Sequence, residues 1–263
     1  MMTLARNRCV SSSREANLEG RIVTSRKHDN TPRAARTLDA LRNLGYDFNS
    51  AVADIIDNSI SAAATRVWVF FKRNGGEFRL RIVDNGHGMT ADGIREALRL
   101  GTDSSYENNS LGKYGFGLKT ASISQCRRLT VMSRPENDGA YHGYTLDLDE
   151  VRQSDRWEIA ETPAQDIRRY VERKGVPPGT GTSVLWEKID RLSEEFGSFQ
   201  RAGAADNWFG RVLDDLRLHL CMVFHRFLDG SAKRDLPLKI KFNGEDLAPW
   251  DPFCTQEPNT RPL

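Results

Sequence analysis

The chain has no long apolar run and few cysteines. Of its 263 residues 38% are hydrophobic, yet no apolar stretch approaches the roughly 18 residues that a transmembrane helix needs, so the sequence predicts no membrane contact. The four cysteines, Cys9, Cys126, Cys221 and Cys254, are far apart and form no C-x-x-C pair. This spacing disfavours a structural disulfide or a zinc site and predicts free thiols in a reducing, cytoplasmic environment.

A strong overall charge is also missing, because the formal net charge is only +2. The charge is uneven, however: residues 1–36 contain eight Lys or Arg against three Asp or Glu, whereas the rest contains 30 against 33. We interpret residues 1–33 as a basic, flexible N-terminal arm that could touch nucleic acid. The alternative is a solvated tail without a partner.

Two common nucleotide-binding patterns are absent as well. The segment 112–120 is rich in glycine but lacks the G-x-x-x-x-G-K-[ST] spacing of a P-loop. It also does not follow the strand of a βαβ unit, as a Rossmann turn would. Any phosphate site here must therefore be of another type.

Hydrophobic periodicity predicts an α+β protein, a two-layer α/β sandwich with helices on one face of a mostly antiparallel sheet. Helices are predicted at 34–44, 50–63, 90–100, 113–124, 166–173 and 199–228, and strands at 67–71, 78–83, 128–133, 141–147, 157–161, 182–189 and 238–242. Asn49 or Ser50 is the expected N-cap of the second helix, and Thr90 that of the third. Residues 101–112 are polar and aperiodic, which predicts a mobile loop.

The polar face of the helix at 50–63 carries the first candidate site. Asp54 and Asn58 are four residues apart and point the same way. An amide oxygen suits Mg²⁺, and a carboxylate one turn earlier can orient a water molecule against a phosphate. Taken alone, the pattern is more typical of a solvated helix face. Asp57 is interpreted as a surface charge, with a second catalytic acid as the alternative.

A second candidate site is Asp84-Asn-Gly86-His-Gly88-Met89, at the end of a predicted strand. Glycine permits the main chain to approach a flat ligand closely, and a lone carboxylate can accept from an exocyclic amine. An ordinary glycine-rich turn is the alternative interpretation.

The third and fourth patterns each lie where a predicted helix or strand begins. The third is a glycine-rich segment that opens a helix, where backbone N–H groups can bind phosphate; its candidate residues are Gly112, Lys113, Tyr114, Gly115, Phe116, Gly117 and Lys119. Lys119 could reach a terminal phosphate as a point charge, and Lys113 is equally compatible with a solvated position. The fourth pattern, Gly181-Thr182, enters a strand and is common.

In this order the four patterns resemble those of the GHKL ATPases, the superfamily of gyrase, large heat-shock chaperones, histidine kinases and MutL. The third is most similar to microrchidia (MORC) proteins and their bacterial relatives. The resemblance covers about residues 35–190 and implies a Bergerat-type ATP-binding fold with ATP and Mg²⁺ as ligands. It implies the following roles: general base for Asp54, Mg²⁺ ligand for Asn58, adenine acceptor for Asp84, pocket wall for Gly86, Gly88 and Met89, phosphate binding for residues 112–117 and Lys119, and a water-mediated adenine contact for Thr182.

One departure from the family matters. The resembling proteins usually have Glu at the position of Asp54, whose side chain is one methylene shorter. We therefore expect slow hydrolysis with nucleotide binding intact.

Three functions remain open at this point. The first is an ATPase whose lid closure and homodimerisation act on DNA or a protein client, in DNA metabolism or bacterial defence. The second is the catalytic domain of a histidine kinase, and the third a nucleotide switch or chaperone-like scaffold that hardly hydrolyses. Residues 34–195 are predicted to be the ATP-binding domain. Residues 196–263 are predicted to be a long helix and the truncated start of a transducer-like domain, so we expect a piece of a longer protein.

Overall fold

The computed structural model describes residues 14–16, 22–24, 28, 32–43, 45–99, 117–171, 179–199, 202–234 and 236–254. The chain divides into two compact units, residues 1–33 and 34–263. In the first unit, strand β1 (Arg14–Ala16) pairs antiparallel with strand β2 (Ile22–Thr24). The sequence did not predict this pair.

The second unit alternates helices and strands. Its described helices are α1 (Ala34–Arg42), α2 (Phe48–Ser61), α3 (Ala91–Leu98), α4 (Gly117–Gln125), α5 (Leu148–Ser154), α6 (Ala164–Val171), α7 (Asp190–Gly197), α8 (Ala202–Val223) and α9 (His225–Leu228). Its described strands are β3 (Arg66–Asn74), β4 (Glu77–Asp84), β5 (Arg128–Arg134), β6 (His142–Asp147), β7 (Ala160–Glu161), β8 (Gly181–Glu187), β9 (Lys239–Phe242) and β10 (Glu245–Asp246).

The eight described strands of this unit form one sheet in the order β10-β9-β3-β4-β8-β5-β6-β7. Neighbouring strands are antiparallel except β3 and β9, which are parallel. Because β8 lies between β4 and β5, the start of β8 at Gly181 comes next to the end of β4 at Asp84. The second and fourth sequence patterns therefore meet in the fold.

The hydrophobic core lies between one face of the sheet and a layer of helices. Val67, Val69 and Phe71 alternate along β3 and all belong to the core cluster, as the period of two in a strand requires. The ring of Phe71 lies 5.1 Å from that of Phe48 in α2 and 5.4 Å from that of Phe209 in α8. Each such buried apolar side chain contributes roughly 1.5–3 kcal/mol to folding.

The start of α2 differs from the prediction. The helix begins at Phe48, and its N-cap is Asp47 rather than Asn49 or Ser50: the Asp47 carboxylate accepts a hydrogen bond from the main-chain N of Ser50 at 3.0 Å. This bond satisfies one of the N–H groups that a helix start leaves unpaired. Thr90 caps α3 as predicted, with its Oγ1 accepting from the main-chain N of Gly93 at 3.1 Å.

Several short elements also differ. Helices α5 and α7 were not predicted, because no Gly or Pro separates either helix from the strand before it and marks a new element. The strand predicted at 157–161 is reduced to β7, which pairs with β6. The predicted loop at 101–112 and the first residues of the predicted helix at 113–124 lie outside the described residues.

The predicted fold class is confirmed: helices pack on a mixed, mostly antiparallel sheet. Since β9 belongs to this sheet, the described part of 196–263 lies in the same compact unit as the residues before it. The domain boundary at 195 stays a prediction. In the part of the chain that the structure describes, no helix is long and apolar enough to cross a bilayer.

Candidate functional site

The polar face of α2 carries Asp54, Asp57 and Asn58. Asn58 is exposed, and its Nδ2 donates a hydrogen bond to the main-chain oxygen of Asp54 at 2.8 Å. Because the amide nitrogen is used in this way, the Asn58 Oδ1 is the atom of this side chain that can accept from, or coordinate, a ligand. Asp54 and Asp57 are half-buried, so water only partly screens their carboxyls.

The environment of Asp54 makes its carboxyl more basic. Burial raises the pKa of Asp54 above its ordinary value, the hydrogen bond from the Tyr46 hydroxyl lowers it, and the charge of Asp47 raises it; the net change is upward. Burial and the same hydrogen bond raise the pKa of Tyr46, so the hydroxyl stays protonated and donates a hydrogen bond to the carboxylate. A carboxylate with a raised pKa accepts protons more readily than an ordinary one.

Asp57 is more perturbed than a surface charge would be. Burial, together with the negative charge of Asp54, raises the pKa of Asp57 to about 6, because both effects disfavour the ionised form. Paired carboxyls with raised pKa values are frequent at functional sites, although structural pairs show them too.

Asp84, at the end of β4, is buried, and three hydrogen bonds hold its carboxylate. Only 8% of it is exposed. Its Oδ1 accepts hydrogen bonds from the main-chain N of Gly86 at 2.9 Å and of Thr182 at 3.2 Å, and its Oδ2 accepts one from the Ser59 Oγ at 3.1 Å. Burial raises the pKa of Asp84 and these hydrogen bonds lower it, with a net rise. A carboxylate has about four acceptor positions, so one on Oδ2 remains for a ligand.

The main chain around Asp84 is packed so tightly that three glycines, Gly86, Gly88 and Gly181, cannot be replaced without a shift. A Cβ at Gly181 would lie 2.0 Å from the main-chain oxygen of Asp84, and Gly181 has a φ of +129°. A Cβ at Gly88 would lie 2.1 Å from the main-chain oxygen of Arg134, and its φ is +70°. Both positions need a residue without a side chain.

Ser133, at the end of β5, connects the second and fourth patterns. Its Oγ accepts a hydrogen bond from the main-chain N of Met89 at 2.8 Å, donates to the main-chain oxygen of Gly181 at 2.9 Å, and lies 2.9 Å from the Thr182 Oγ1. This hydroxyl therefore fixes the segment after Asp84 against the start of β8.

Lys119 lies on α4 and is only 2% exposed. Its ammonium donates a hydrogen bond to the main-chain oxygen of Arg99. Burial lowers the pKa of Lys119, and the charge of Glu96 raises it, with a net decrease. To bind a phosphate, the ammonium would have to break its hydrogen bond to this carbonyl. Gly117 is the first residue of α4, whereas Gly112, Lys113, Tyr114, Gly115 and Phe116 lie outside the described residues.

The described candidates thus form a connected set. Hydrogen bonds join Asp84, Gly86, Met89 and Thr182 through Ser59 and Ser133. Ser59 is on the same helix as Asp54, five residues later, which corresponds to roughly 7.5 Å along the helix axis. Helix α4, which carries Lys119, packs against α2.

Sequence reasoning did not select Tyr46, Ser59 or Ser133. Ser59 directly follows Asn58 and carried a weak signal, since it shares the helix with the first pattern. Tyr46 and Ser133 belong to no recognisable spacing. Tyr46 reaches Asp54 from just before α2, whereas only the packing of distant segments brings Ser133 to Thr182.

This geometry fits a purine nucleotide with a divalent cation. The remaining acceptor position on the buried Asp84 suits an exocyclic amine, and main chain without side chains lies beside it at Gly86. In the described ranges no group of three or more His, Cys, Asp or Glu could hold a metal alone. Mg²⁺ would therefore need phosphate oxygens and waters besides the Asn58 Oδ1, as it usually does.

Residues 46–176, about half of the chain, match the family described as histidine kinase-, DNA gyrase B- and HSP90-like ATPase. Among curated proteins, the chain is 28% identical over 141 residues to the DNA mismatch repair protein MutL of Colwellia psychrerythraea, covering 52% of the chain and 19% of that protein. To MutL of Acidiphilium cryptum it is 27% identical over 197 residues, covering 72% of the chain and 30% of that protein.

A further relative comes from an animal. The chain is 30% identical over 92 residues to the ATPase MORC2B of Mus musculus, covering 33% of the chain and 9% of that protein. The chain therefore spans less than a third of the length of each of these three relatives.

Proposed function

Since residues 46–176 belong to the histidine kinase-, DNA gyrase B- and HSP90-like ATPases, in the MutL- and MORC-like part of that superfamily, we propose that this chain binds ATP with Mg²⁺ and hydrolyses it slowly. The observation that carries the proposal is the buried carboxylate of Asp84, which has three protein donors and one unused acceptor position.

The adenine end of the ligand lies against Asp84. Its Oδ2 accepts the exocyclic amine, and Thr182 supports the base through a water molecule. Gly86, Gly88 and Met89 form the wall, where a flat base can approach the main chain. A buried acceptor left without its donor costs about 1–3 kcal/mol, so this contact discriminates against bases without an amine.

The hydrolytic end lies on α2. Asp54 orients a water molecule and takes its proton at a carboxylate oxygen, since its raised pKa makes it a competent acceptor. The Tyr46 hydroxyl holds this carboxylate in one orientation. Because Asp54 is one methylene shorter than the usual Glu, the water is held less well, and turnover is slow.

Asn58, Lys119 and the glycine-rich segment would hold the metal and the phosphates. Asn58 provides an oxygen ligand for Mg²⁺, which when bound neutralises phosphate charge. The glycine-rich residues 112–117 bind phosphate through main-chain N–H groups, and Lys119 contributes a charge. ATP orders the segment 101–117 as a lid, and lid closure builds a surface for a homodimer.

We place the work of this ATPase in DNA metabolism or bacterial defence, acting on DNA or a protein client. The support is the relation to mismatch repair proteins and to a MORC ATPase. A nucleotide switch that hardly hydrolyses is the second candidate, favoured by the shorter side chain of Asp54. Steady-state and burst measurements of ATP turnover separate the two, and phosphotransfer to a histidine-containing partner would instead indicate a kinase.

The test is ATP affinity, measured by calorimetry with Mg²⁺ and a non-hydrolysable analogue. Asp84→Asn replaces an acceptor oxygen by a donor and should weaken binding about tenfold or more. Asp215→Asn, on the exposed side of α8, is the matched control and should change nothing. Unchanged affinity of Asp84→Asn would remove this carboxylate from the site.

A further inference from the structure

The face of the sheet turned away from the core carries an excess of positive charge. The pairing register puts Trp68 beside Val83 and Lys241, and Lys72 beside Arg79, all on the face opposite to the core residues Val67 and Val69. On β9, β3 and β4 this face carries six cations: Arg66, Lys72, Arg79, Arg81, Lys239 and Lys241. The acidic residues of the same face on β4 and β10 are Glu77 and Asp246. Arg81 is only 5% exposed and donates a hydrogen bond to the Ser183 Oγ at 3.1 Å, so we call the other five cations the cationic sheet face.

Like charges stand side by side on this face. Arg66 is the direct neighbour of Lys239, and Lys72 is that of Arg79. Such cross-strand pairs destabilise a sheet unless something compensates them. Arg79 forms an ion pair with Glu187 at 2.7 Å, and Lys241 one with Asp246 at 3.2 Å.

Three of the cations have no such compensation. In the described ranges of the chain, Arg66, Lys72 and Lys239 form no ion pair, and all three are exposed. They therefore keep their full charge toward solvent, at both ends of the same stretch of β3. This arrangement costs some folding free energy, and a bound polyanion would offset that cost.

The cationic sheet face is also concave where Arg66 and Lys239 meet. A pocket of about 330 Å³ is lined there by Arg66, Val67, Trp68, Lys239, Lys241 and Asp246. Trp68, which lines this pocket, is only 6% exposed. Of the three positive side chains that line the pocket, Lys241 is paired with Asp246, so Arg66 and Lys239 are the two that suit a phosphate group.

We propose that the cationic sheet face binds the phosphate backbone of double-stranded DNA. From Arg66 to Lys72 the strand extends roughly 20 Å at 3.3–3.4 Å per residue, the length of about six phosphates along one DNA strand. Single strands usually also need exposed aromatic rings on which bases stack, but Trp68 is buried and Phe70 half-buried. Contacts limited to phosphate predict binding without sequence preference.

This site is separate from the nucleotide site, because Asp84 and α2 lie on the core side of the sheet. It deepens the DNA part of the proposed function, but the binding itself does not depend on ATP. DNA binding in the absence of nucleotide therefore tests it independently of the ATPase proposal.

The experiment measures fluorescence anisotropy of a 30-base-pair DNA duplex with the full chain, without nucleotide, at several salt concentrations. The test variant is Arg66→Glu/Lys72→Glu/Lys239→Glu. The control is Arg36→Glu/Arg168→Glu/Arg211→Glu, which changes the charge equally at exposed helical positions. We expect the test variant to bind tenfold or more weakly and the control less than about threefold more weakly. The slope of the salt dependence should also fall by roughly 0.9 for each phosphate that the variant no longer neutralises.

Three outcomes would overturn the inference: no binding by the parent chain, equal weakening in both variants, or tighter binding of an RNA duplex or a single strand than of duplex DNA. Calorimetry with the ATP analogue runs in parallel. A test variant with weakened DNA affinity and parental ATP affinity supports the inference and shows that the fold is intact. If the parent chain binds DNA but not ATP, the ATPase proposal fails while this one stands.

Discussion

The two ends of the proposed nucleotide site differ in how firmly the protein itself holds their functional groups. At the adenine end, Asp84 is buried and fixed by three hydrogen bonds from three different segments. At the phosphate end, Asn58 is exposed, Asp54 is half-buried, and Lys119 is bonded to the main chain of Arg99. Base recognition can thus be built before ligand arrives, whereas phosphate chemistry requires rearrangement on binding.

This difference has an energetic reason. A buried carboxylate must have its hydrogen bonds made in the folded protein, since leaving them unmade is costly. Groups that bind phosphate must instead remain able to exchange partners, so their own contacts have to be few or replaceable. Variants at the two ends should accordingly fail in different ways.

The largest effect is expected at the phosphate end. Asp54→Ala should lower kcat roughly 100- to 10,000-fold, because it removes the proton acceptor, and leave ATP affinity nearly unchanged, because it removes no nucleotide contact. The measurements are steady-state phosphate release and calorimetric ATP binding on the same sample.

Asn58→Ala serves as the comparison, since it should reduce Mg²⁺-dependent binding itself. Turnover of Asp54→Ala at the parental rate would contradict this assignment and make Asp57 the next candidate for the base.

At the adenine end, the largest effect should be on stability. Gly181→Ala would bring a Cβ to 2.0 Å from the main-chain oxygen of Asp84 at a φ of +129°. We expect a decrease of about 3 kcal/mol in the free energy of unfolding, measured by urea denaturation.

Gly179→Ala is the control for this variant, because a Cβ there meets no atom within 4 Å, and it should change stability by less than about 0.5 kcal/mol. Equal stability of the two variants would mean that the main chain around Asp84 shifts to accommodate the new Cβ more readily than its contacts indicate.

The lid hypothesis can be tested by hydrogen exchange across residues 101–117. A polar segment has little apolar surface to bury, so without ligand the entropy cost of ordering should prevail. With a Mg-ATP analogue we expect exchange to slow roughly tenfold or more, together with doubled mass in light scattering. Equal exchange rates would exclude the lid, and protection without a mass change would exclude only its link to dimerisation.

The smallest expected effect is a change in stability, and it distinguishes the role of Asp57 from that of Asp54. The folded-state pKa of Asp57 is raised to about 6, so the folded state binds more protons than the unfolded state between about pH 4 and 6. Ionised Asp57 therefore reduces stability, and this reduction is complete above pH 6. Asp57→Asn should stabilise the protein at pH 7.5 by about 1 kcal/mol, after allowance for solvent screening, and by nothing at pH 4. Equal gains at both pH values would disprove the buried charge as the cause.

Much of the fold could be predicted from the sequence because its signals are local. The hairpin of β3 and β4 follows from alternation around Asn74-Gly75-Gly76, and α2 follows from an apolar face with period 3.6. Helices α5 and α7 were not predicted because no Gly or Pro separates either of them from the strand before it. The N-cap of α2 was assigned wrongly, because three nearby residues, Asp47, Asn49 and Ser50, can all cap a helix.

By itself, the sequence determined which residue types stand at the strand ends and on the polar face of α2, and in what order. It could not determine their partners. The main-chain N of Thr182 reaches Asp84 from 98 positions away, and Tyr46 and Ser133 belong to no motif. Likewise, Lys239 lies beside Arg66 only because β9 runs parallel to β3 in this register. Such contacts depend on the sheet order, and the order is set by burial of the whole core rather than by any local stretch of sequence.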